Sequence, residues 1–416
     1  MMILSIETSC DDTSLAIIRT RGKNRVYFDI LSNIISSQIK IHKKWGGVYP
    51  VLAMRAHQKN LIPILKKVMK IANCTLRQTQ GDTSATLSIE CQNKKINTIN
   101  KILEKEPELL NSFLKFVPKI KKPKIDVISV TEGPGLEPCL WTGINLAKAL
   151  SFFWKIPLVP VNHVRGHIFA NFIEEKINLK TNSDFFPALA LVVSGGHTQL
   201  ILMNDTEDYK ILGETRDDAA VECLDNVARI LGLEYPGGPI IEKKAEEWKI
   251  ANDTLRQAQG DTERSRSVEL QIDLPRPMIN SKNYDFSFSG LKTAVLYDFK
   301  IRSSKIKKDK NYIRQLCFET QQAIFDVLIK KTIKAAKDFR VKSVLLGGGV
   351  ASNQELRKQI KKAVENSLPK TKLLIPEPVY CTDNAVMTAI QGYFNFSEKK
   401  SKHWKNLKAR ANLRTD

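Results

Sequence analysis

The sequence predicts an α/β chain built from two related lobes that face one another across a cleft, and three observations lead there. The chain has 416 residues, 42% of them hydrophobic, enough for a substantial core and near the upper length for one domain. At four places an apolar run ends in a turn rich in small, polar or acidic residues, the pattern of a strand that delivers side chains to a site. The first and third of these are the same strand-turn-strand device, about half a chain apart.

In chain order, the first station is ILSIE, TSCDDT, SLAII, a hairpin whose loop offers Thr8, Ser9, Asp11, Asp12 and Thr13. Next comes TLRQTQGDT at 75–83, which recurs as TLRQAQGDT at 254–262 and differs only at Thr79 and Ala258. Contiguous stacking is what makes an architectural repeat, so two copies this far apart are expected to be insertions, polar surface loops outside the chemistry. The Lys-rich stretch Asn93 to Lys124 is expected to be a helical excursion attached to the first copy. The second station, DVISVTEGPGLEPCLWTG, is a strand and a Gly-Pro-Gly turn, Gly133 to Gly135, leading to the apolar-periodic helix INLAKALSFF. The third, ALALVVSGGHTQLILM, is again strand, glycine turn and strand. The fourth, SVLLGGGVASNQELRKQIKKAV, runs a buried strand into three glycines, with Ser352 or Asn353 where a helix N-cap belongs.

Composition narrows the class. With 65 Lys+Arg against 44 Asp+Glu the net charge is +21, the balance of a protein that meets a polyanion. A codon bias toward Lys, Ile and Asn would produce the same excess without nucleic acid. The seven cysteines (Cys10, Cys74, Cys91, Cys139, Cys223, Cys317, Cys381) form no CxxC pair, which points to a reducing compartment. MMILSIETSC lacks the basic leader of a signal peptide, and no apolar stretch approaches the roughly 18 residues that span a bilayer. A cytoplasmic protein without a membrane partner is expected.

The chemistry-bearing residues sit at these stations. His163 and His167 stand four apart in VNHVRGHIFANF, so on a helix both imidazoles leave one face and can grip one metal ion. An isolated HxxxH is also compatible with an incidental pair, and this one lacks the Glu of HExxH that a zinc peptidase needs. Asp383 in CTDNAVMTA offers a third, oxygen ligand; its plain alternative is an N-cap. The SGGHT turn, Ser194 to Thr198, and the turn Gly347 to Gly349 suit phosphate contacts, yet match neither a Walker A loop nor GxGxxG. Asp217, Asp218, Glu222 and Asp225 form an acidic cluster on an expected helix, either for a metal, base or ribose or as a solvated face.

Eight phrases, IETSCDDT, NHVRGH, VVSGGHTQL, GETRDDAA, YPGGP, DFSFSGLKTAV, LLGGGVASNQELR and CTDN, occur in the order in which they occur in the universal tRNA N6-adenosine threonylcarbamoyltransferase family. The chain resembles that family, formerly called a glycoprotein endopeptidase, over nearly all its length except about 73–124, about 250–272 and the extreme C-terminus. The resemblance implies an actin-like ATPase fold of two ribonuclease-H-like lobes. The first would be 1–160 with an insertion near 73–124, completed by 385–416, and the second 161–384 with an insertion near 250–272. It implies a divalent metal on His163, His167 and Asp383, iron or zinc foremost, then magnesium or manganese. It implies adenylate contacts at Val192, Val193, Ser194, Gly195, Gly196 and His197, and at Asp225, Gly238 and Asn353. The donor would be threonylcarbamoyl-adenylate and the acceptor the adenosine 3′ of the anticodon in tRNAs reading codons that begin with A. An inactive paralogue of the same fold and a small P-loop ATPase would be partners. Asp11 is the candidate proton acceptor beside Asp12, or alternatively binds a water on the metal.

The chain departs from the family pattern at Asp12, usually Glu; at Arg165, often Glu in bacterial members; at Glu137-Pro138, usually a glycine-rich continuation; and at Ala385, usually Gly. These put relative rate and partner choice in question. An actin-fold small-molecule kinase, a peptidase and a non-catalytic scaffold are the competing readings. The histidine pair with TDN argues against the kinase, the missing HExxH against the peptidase, and the retained histidines and acidic loop against the scaffold.

Overall fold

A computed structural model describes residues 1–22, 25–74, 89–175, 177–178, 184–259 and 272–416, of which 89–92, 177–178 and 254–259 by their backbone alone. It divides into two units, Met1–Asn182 with Thr382–Thr415, and Ser183–Cys381 with Asp416.

In the first unit β1 (Met2–Glu7), β2 (Asp12–Arg21) and β3 (Arg25–Ser37) form an antiparallel meander. The chain continues through α1 (Ile39–His42), α2 (Pro50–Ile71), α3 (Ile89–Ile102) and α4 (Pro107–Phe116). Then β4 (Val127–Gly133) joins β1 in parallel, and α5 (Glu137–Trp154) crosses over to β5 (Leu158–Asn162), parallel to β4. After α6 (His163–Phe169), the short β6 (Ile177–Asn178) completes the sheet in the order β5-β4-β1-β2-β3-β6. Period-two alternation splits β1 between two faces. Leu4 and Ile6 enter the core shared with α2 and α5, while the Ser5 hydroxyl on the other face donates to the Ala385 carbonyl at 2.6 Å.

The second unit repeats that plan. β7 (Ala188–Val193), β8 (Thr198–Met203) and β9 (Tyr209–Glu214) are antiparallel, and β10 (Ser343–Gly347) and β11 (Lys372–Leu374) extend the β7 side in parallel. Around them lie α7 (Ala220–Ile230), α8 (Gly237–Gln259), α9 (Ser289–Ile301), α10 (Ser304–Lys307), α11 (Lys310–Asp338), α12 (Gln354–Ser367) and α13 (Pro378–Cys381). The order β11-β10-β7-β8-β9 matches β5-β4-β1-β2-β3 in sequence and in strand sense. The duplication expected from the two hairpins is therefore a duplication of the whole sheet, as two ribonuclease-H-like lobes require. Its core is separate, built around Phe286, Phe288, Tyr312 and Phe325. The last helix, α14 (Ala385–Ser397), returns to the first unit and covers the second face of its sheet, with no room for a Cβ at Gly392 against Ser129.

Several expectations are adjusted. The excursion at Asn93 to Lys124 is helical, but it is also core: Leu103, Leu109, Phe113 and Val117 are fully buried in the cluster that holds Leu61, Leu65 and Val68 of α2. The helix after the Gly-Pro-Gly turn begins at Glu137, a full turn and more before Ile144, because Pro138 falls in the first turn where its missing N–H costs nothing. The copy at 75–83 lies outside the described residues. The copy at 254–262 does not begin as a loop: α8 runs on through Gln259, since Leu, Arg, Gln and Ala favour helix and no Gly occurs before Gly260. The first unit extends to Asn182 instead of 160, because α6 packs on α14, where a Cβ on Gly166 would touch Met387 at 3.4 Å. Among the described residues no helix is long and apolar enough to cross a membrane.

Candidate metal centre and acidic loop

Helix α6 starts where the Asn162 side chain accepts the Arg165 N–H at 3.1 Å, which aims the next turn across the end of β5. His163 and His167 follow one turn apart, their rings edge to face with centroids at 4.7 Å. Both Nε2 atoms point at one oxygen: Asp383 Oδ1 lies 3.5 Å from His163 and 3.3 Å from His167. The three ligand atoms fall within 4.8 Å of one another. Asp383 is not the N-cap of α14. Asn384 is, accepting the Val386 and Met387 N–H groups at 3.0 and 3.1 Å, so the Asp383 carboxylate is left facing the histidines at the positive end of the helix.

Behind His163 stands a residue the sequence reading passed over. Glu7 is fully buried at the end of β1, and its Oε2 lies 3.4 Å from His163 Nδ1, with Ser9 Oγ at 3.1 Å from the same nitrogen. Its carboxylate also accepts from the Ser9 N–H at 2.7 Å and from the hydroxyls of Thr131 and Thr388. A carboxylate closing an otherwise apolar buried strand was the available signal, since Glu is almost never fully buried without a partner. A carboxylate behind the imidazole fixes ring orientation and leaves Nε2 as the ligand atom. Burial pushes the Glu7 carboxyl up, but the His163 charge outweighs it and holds the pKa below the ordinary value. Burial pulls His163 down, and the Asp383 and Glu7 carboxylates override it, raising it to about 9. His167, 1% exposed, is lowered by burial; its Nδ1 has no hydrogen-bond partner, and its Nε2 faces only the Asp383 oxygen that His163 also faces. Two buried imidazole nitrogens converging on one carboxylate oxygen are better satisfied by a cation among them, so these residues fit a divalent metal.

Asp11 on the adjoining loop and Asp12, the first residue of β2, are half-buried. Both are raised, first by burial and then by the Asp383 charge, Asp12 to about 7. His57 of α2, fully buried, spans this loop from beneath. Its Nε2 lies 2.9 Å from the Cys10 carbonyl and its Nδ1 2.8 Å from Thr13 Oγ1. A carbonyl only accepts, so Nε2 carries the proton and Nδ1 accepts from Thr13. The clamp brackets the two aspartates.

The other expected residues belong to the second unit. Ser194 and His197 close a turn by exchanging backbone hydrogen bonds of 2.9 and 3.3 Å, which leaves Gly195 and Gly196 exposed with open space at both Cβ positions. That turn follows Val192 and Val193 at the end of β7, beside the glycine turn of β10. Gly348 has φ +87°, and a Cβ there would collide with the Val193 carbonyl. Asn353 caps α12, accepting the Leu356 N–H at 3.0 Å and donating to Gln321 at 2.9 Å. Asp225 accepts the Gly237 N–H at 2.7 Å, next to Gly238. The acidic cluster does not lie on one helix. Asp217 and Asp218 precede α7: the former holds the Ser287 to Ser289 turn by its side-chain and backbone donors, and the latter pairs with Lys292 at 2.6 Å.

The sequence profile described as tRNA N6-adenosine threonylcarbamoyltransferase matches residues 29–81 and 103–390, so the interruption at 82–102 falls inside the expected insertion. Proteins of that name are similar along nearly the whole chain. The one from Persephonella marina is 39% identical, over 100% of this chain and 96% of its own length. The Thermosipho africanus protein is 41% identical over 94% of each chain, and the Bacillus subtilis protein 38% identical over 96% of this chain and 91% of its own.

Proposed function

The chain belongs to the tRNA N6-adenosine threonylcarbamoyltransferase family and is a transferase acting on tRNA, and from that premise we propose how its residues carry the reaction. The donor is threonylcarbamoyl-adenylate and the acceptor N6 of the adenosine 3′ to the anticodon in tRNAs reading codons that begin with A. The new bond joins N6 to the carbamoyl carbon, the bond from that carbon to the phosphate oxygen breaks, AMP leaves, and one N6 proton must be taken up.

The observation that carries this reading is the convergence of His163 Nε2, His167 Nε2 and Asp383 Oδ1, with Glu7 behind His163. These residues would hold one divalent ion, with iron or zinc favoured by the two imidazoles over magnesium or manganese. Such an ion supplies Lewis acidity toward phosphate and carbonyl oxygens. Asp11 takes the N6 proton with Asp12 beside it, and His57, bonded to the Cys10 carbonyl and Thr13, holds the loop on which they stand. In the second unit the Ser194 to His197 turn with Val192, Val193 and Gly238 receives the adenylate, on a frame set by Asp225 and Asn353. The open Cβ positions of Gly195 and Gly196 support close approach of backbone N–H groups to a phosphate. An inactive paralogue of the same fold and a small P-loop ATPase act with it. A cytoplasmic setting agrees with six free cysteines among the described residues. The kinase and scaffold readings have no comparable support.

The test is nucleoside mass spectrometry on unmodified tRNA incubated with the protein, its partners and threonylcarbamoyl-adenylate, beside a His163→Ala/His167→Ala variant and with metal content measured on both. Threonylcarbamoyladenosine formed by the parent, with product and metal both lost in the variant, is the expected result. A variant that keeps full activity without metal would sink the ligand assignment, and a parent that is inactive with its own organism's partners would sink the reaction.

A further inference from the structure

The last stretch of the first unit lies outside the motifs that carry the family resemblance, and it is the most one-sidedly charged part of the chain. Residues 399–414 hold seven Lys or Arg and no Asp or Glu, against 65 and 44 in the 416-residue whole. This segment is a docked strap. Its backbone is tied at one end to the start of β5, where the Lys402 N–H donates to Leu158 at 2.8 Å. Farther along, the Arg410 N–H donates to Glu132 at 2.8 Å, and the Gly135 N–H donates to Ala411 at 3.1 Å. The other end reaches α6: Asn162 donates to the Arg414 carbonyl at 2.9 Å, and Arg165 grips the Thr415 carbonyl through Nε and Nη2 at 2.8 and 2.6 Å. Gly133 must be glycine here, because a Cβ would overlap the Arg410 carbonyl.

Anchoring sorts the side chains by face. Leu407 and Thr415 are buried and Ala409, Ala411 and Leu413 half-buried, whereas Lys405, Lys408, Arg410 and Arg414 are exposed. Among the described residues neither Lys405 nor Lys408 has a carboxylate within ion-pair distance; Lys400 meets Glu398, and Glu132 is shared by Lys402 at 3.0 Å and, at the longer distance of 4.0 Å, by Arg410. Lys405 lies 5.5 Å over the half-buried Trp404 ring, and Lys148 of α5 lies 4.9 Å over Trp141. Burial lowers Lys148, and Lys408 adds to it by repulsion, partly offset by Glu106. Cations held together on a rigid support, with aromatic rings between them, are what a polyanion relieves. No large apolar side chain is exposed on the strap, so it lacks what inserts into a bilayer.

We propose that the outer face of this strap, Lys405, Lys408 and Arg410 with Lys148 beside them, is a docking stripe for the phosphate backbone of the tRNA substrate. The proposal rests on the family reading for the identity of the RNA. The stripe runs along β5 and ends at the helix that carries His163 and His167, so RNA laid on it is led toward the candidate centre. Arg165, the residue inside the HxxxH that departs from the family pattern, ties the two together.

The experiment is binding of unmodified tRNA to the full chain over a salt series, for the parent, a Lys405→Gln/Lys408→Gln/Arg410→Gln variant, and a control that loses the same charge on α12, Lys358→Gln/Lys361→Gln/Lys362→Gln. Each lost phosphate contact removes about 0.7–0.9 from the slope of log K against log salt, so the strap variant should lose about 2 to 3 in slope and roughly 10- to 100-fold in affinity near 0.15 M salt. The melting temperature should be unchanged, since the altered side chains face outward, and the control should stay near the parent. Equal losses in both variants, or none in the strap variant, would overturn the proposal. So would strap-dependent binding to phosphatidylserine vesicles with tRNA binding intact. Binding requires no turnover, so a chain that binds RNA through the strap yet forms no product would refute the reaction and leave the stripe standing.

Discussion

At the scale of the residue, the candidate centre is three ligand atoms on His163, His167 and Asp383, with the Glu7 carboxylate 3.4 Å behind the first. His163, His167 and Asp383 were visible because helical spacing dictates where two side chains four apart point, and the structure brings their ligand atoms within 4.8 Å. Glu7 and His57 were not, because their roles come from what lies behind them: Thr131 and Thr388 around one, the Cys10 carbonyl and Thr13 around the other. His57 yields a prediction. Burial lowers it from 6.5 to about 4, so between those values the unfolded chain binds a proton that the folded chain refuses. Its contribution to stability is therefore present above pH 6.5 and declines as the pH falls, by about 2 kcal/mol at pH 5. Asp12, raised to about 7, acts in the opposite direction over much of the same range, so the parent's own pH curve mixes the two. A His57→Gln variant, which can still donate to one partner and accept from the other, removes only the first. Its denaturant stability should fall less than the parent's between pH 7 and pH 5; parallel curves would refute the clamp as described.

At the scale of the element, the strand-turn-strand stations are legible because continuous apolar runs, buried on both faces in β1, β7 and β8, and the turns that end them are local properties. Helix starts were read less well. Pro138, expected before the helix, is a first-turn residue of α5, and α8 continues into the second TLRQAQ copy as far as Gln259. The inserted pair α3 and α4 shows the limit of composition: the stretch Asn93 to Lys124, with its nine lysines, is expected as a helical excursion, and its apolar side chains also complete the core over α2 and α5. Phe113→Ala should accordingly cost about 3–5 kcal/mol in denaturant unfolding, the range for truncating a buried aromatic. A loss under about 1 kcal/mol would show that α4 is an appendage after all.

At the scale of the whole molecule, the first unit is made from two distant stretches of chain, Met1–Asn182 and Thr382–Thr415, whereas the second is essentially one run. The helix α14 brings Thr388 to Glu7, sets Asp383 just ahead of it against His163 and His167, and covers the sheet face that Ser5 and Ser129 line. A chain ending at Cys381 should therefore lose amide-exchange protection across β1, β2, β4 and β5, while Ser183–Cys381 keeps protection around its own core. Protection retained in β1 would mean that α14 is dispensable. By itself the sequence determined the strand stations, the duplicated hairpin and the histidine pair's spacing, because apolar runs, turn chemistry and helical spacing act over a few neighbouring residues. Only the tertiary structure decided which carboxylate backs His163, which residue caps α14, where the acidic cluster is consumed, and that a basic tail lies along β5 to end on Arg165. Those outcomes depend on residues up to 381 positions apart, brought together by the burial of sheet faces, a force with no direction along the chain.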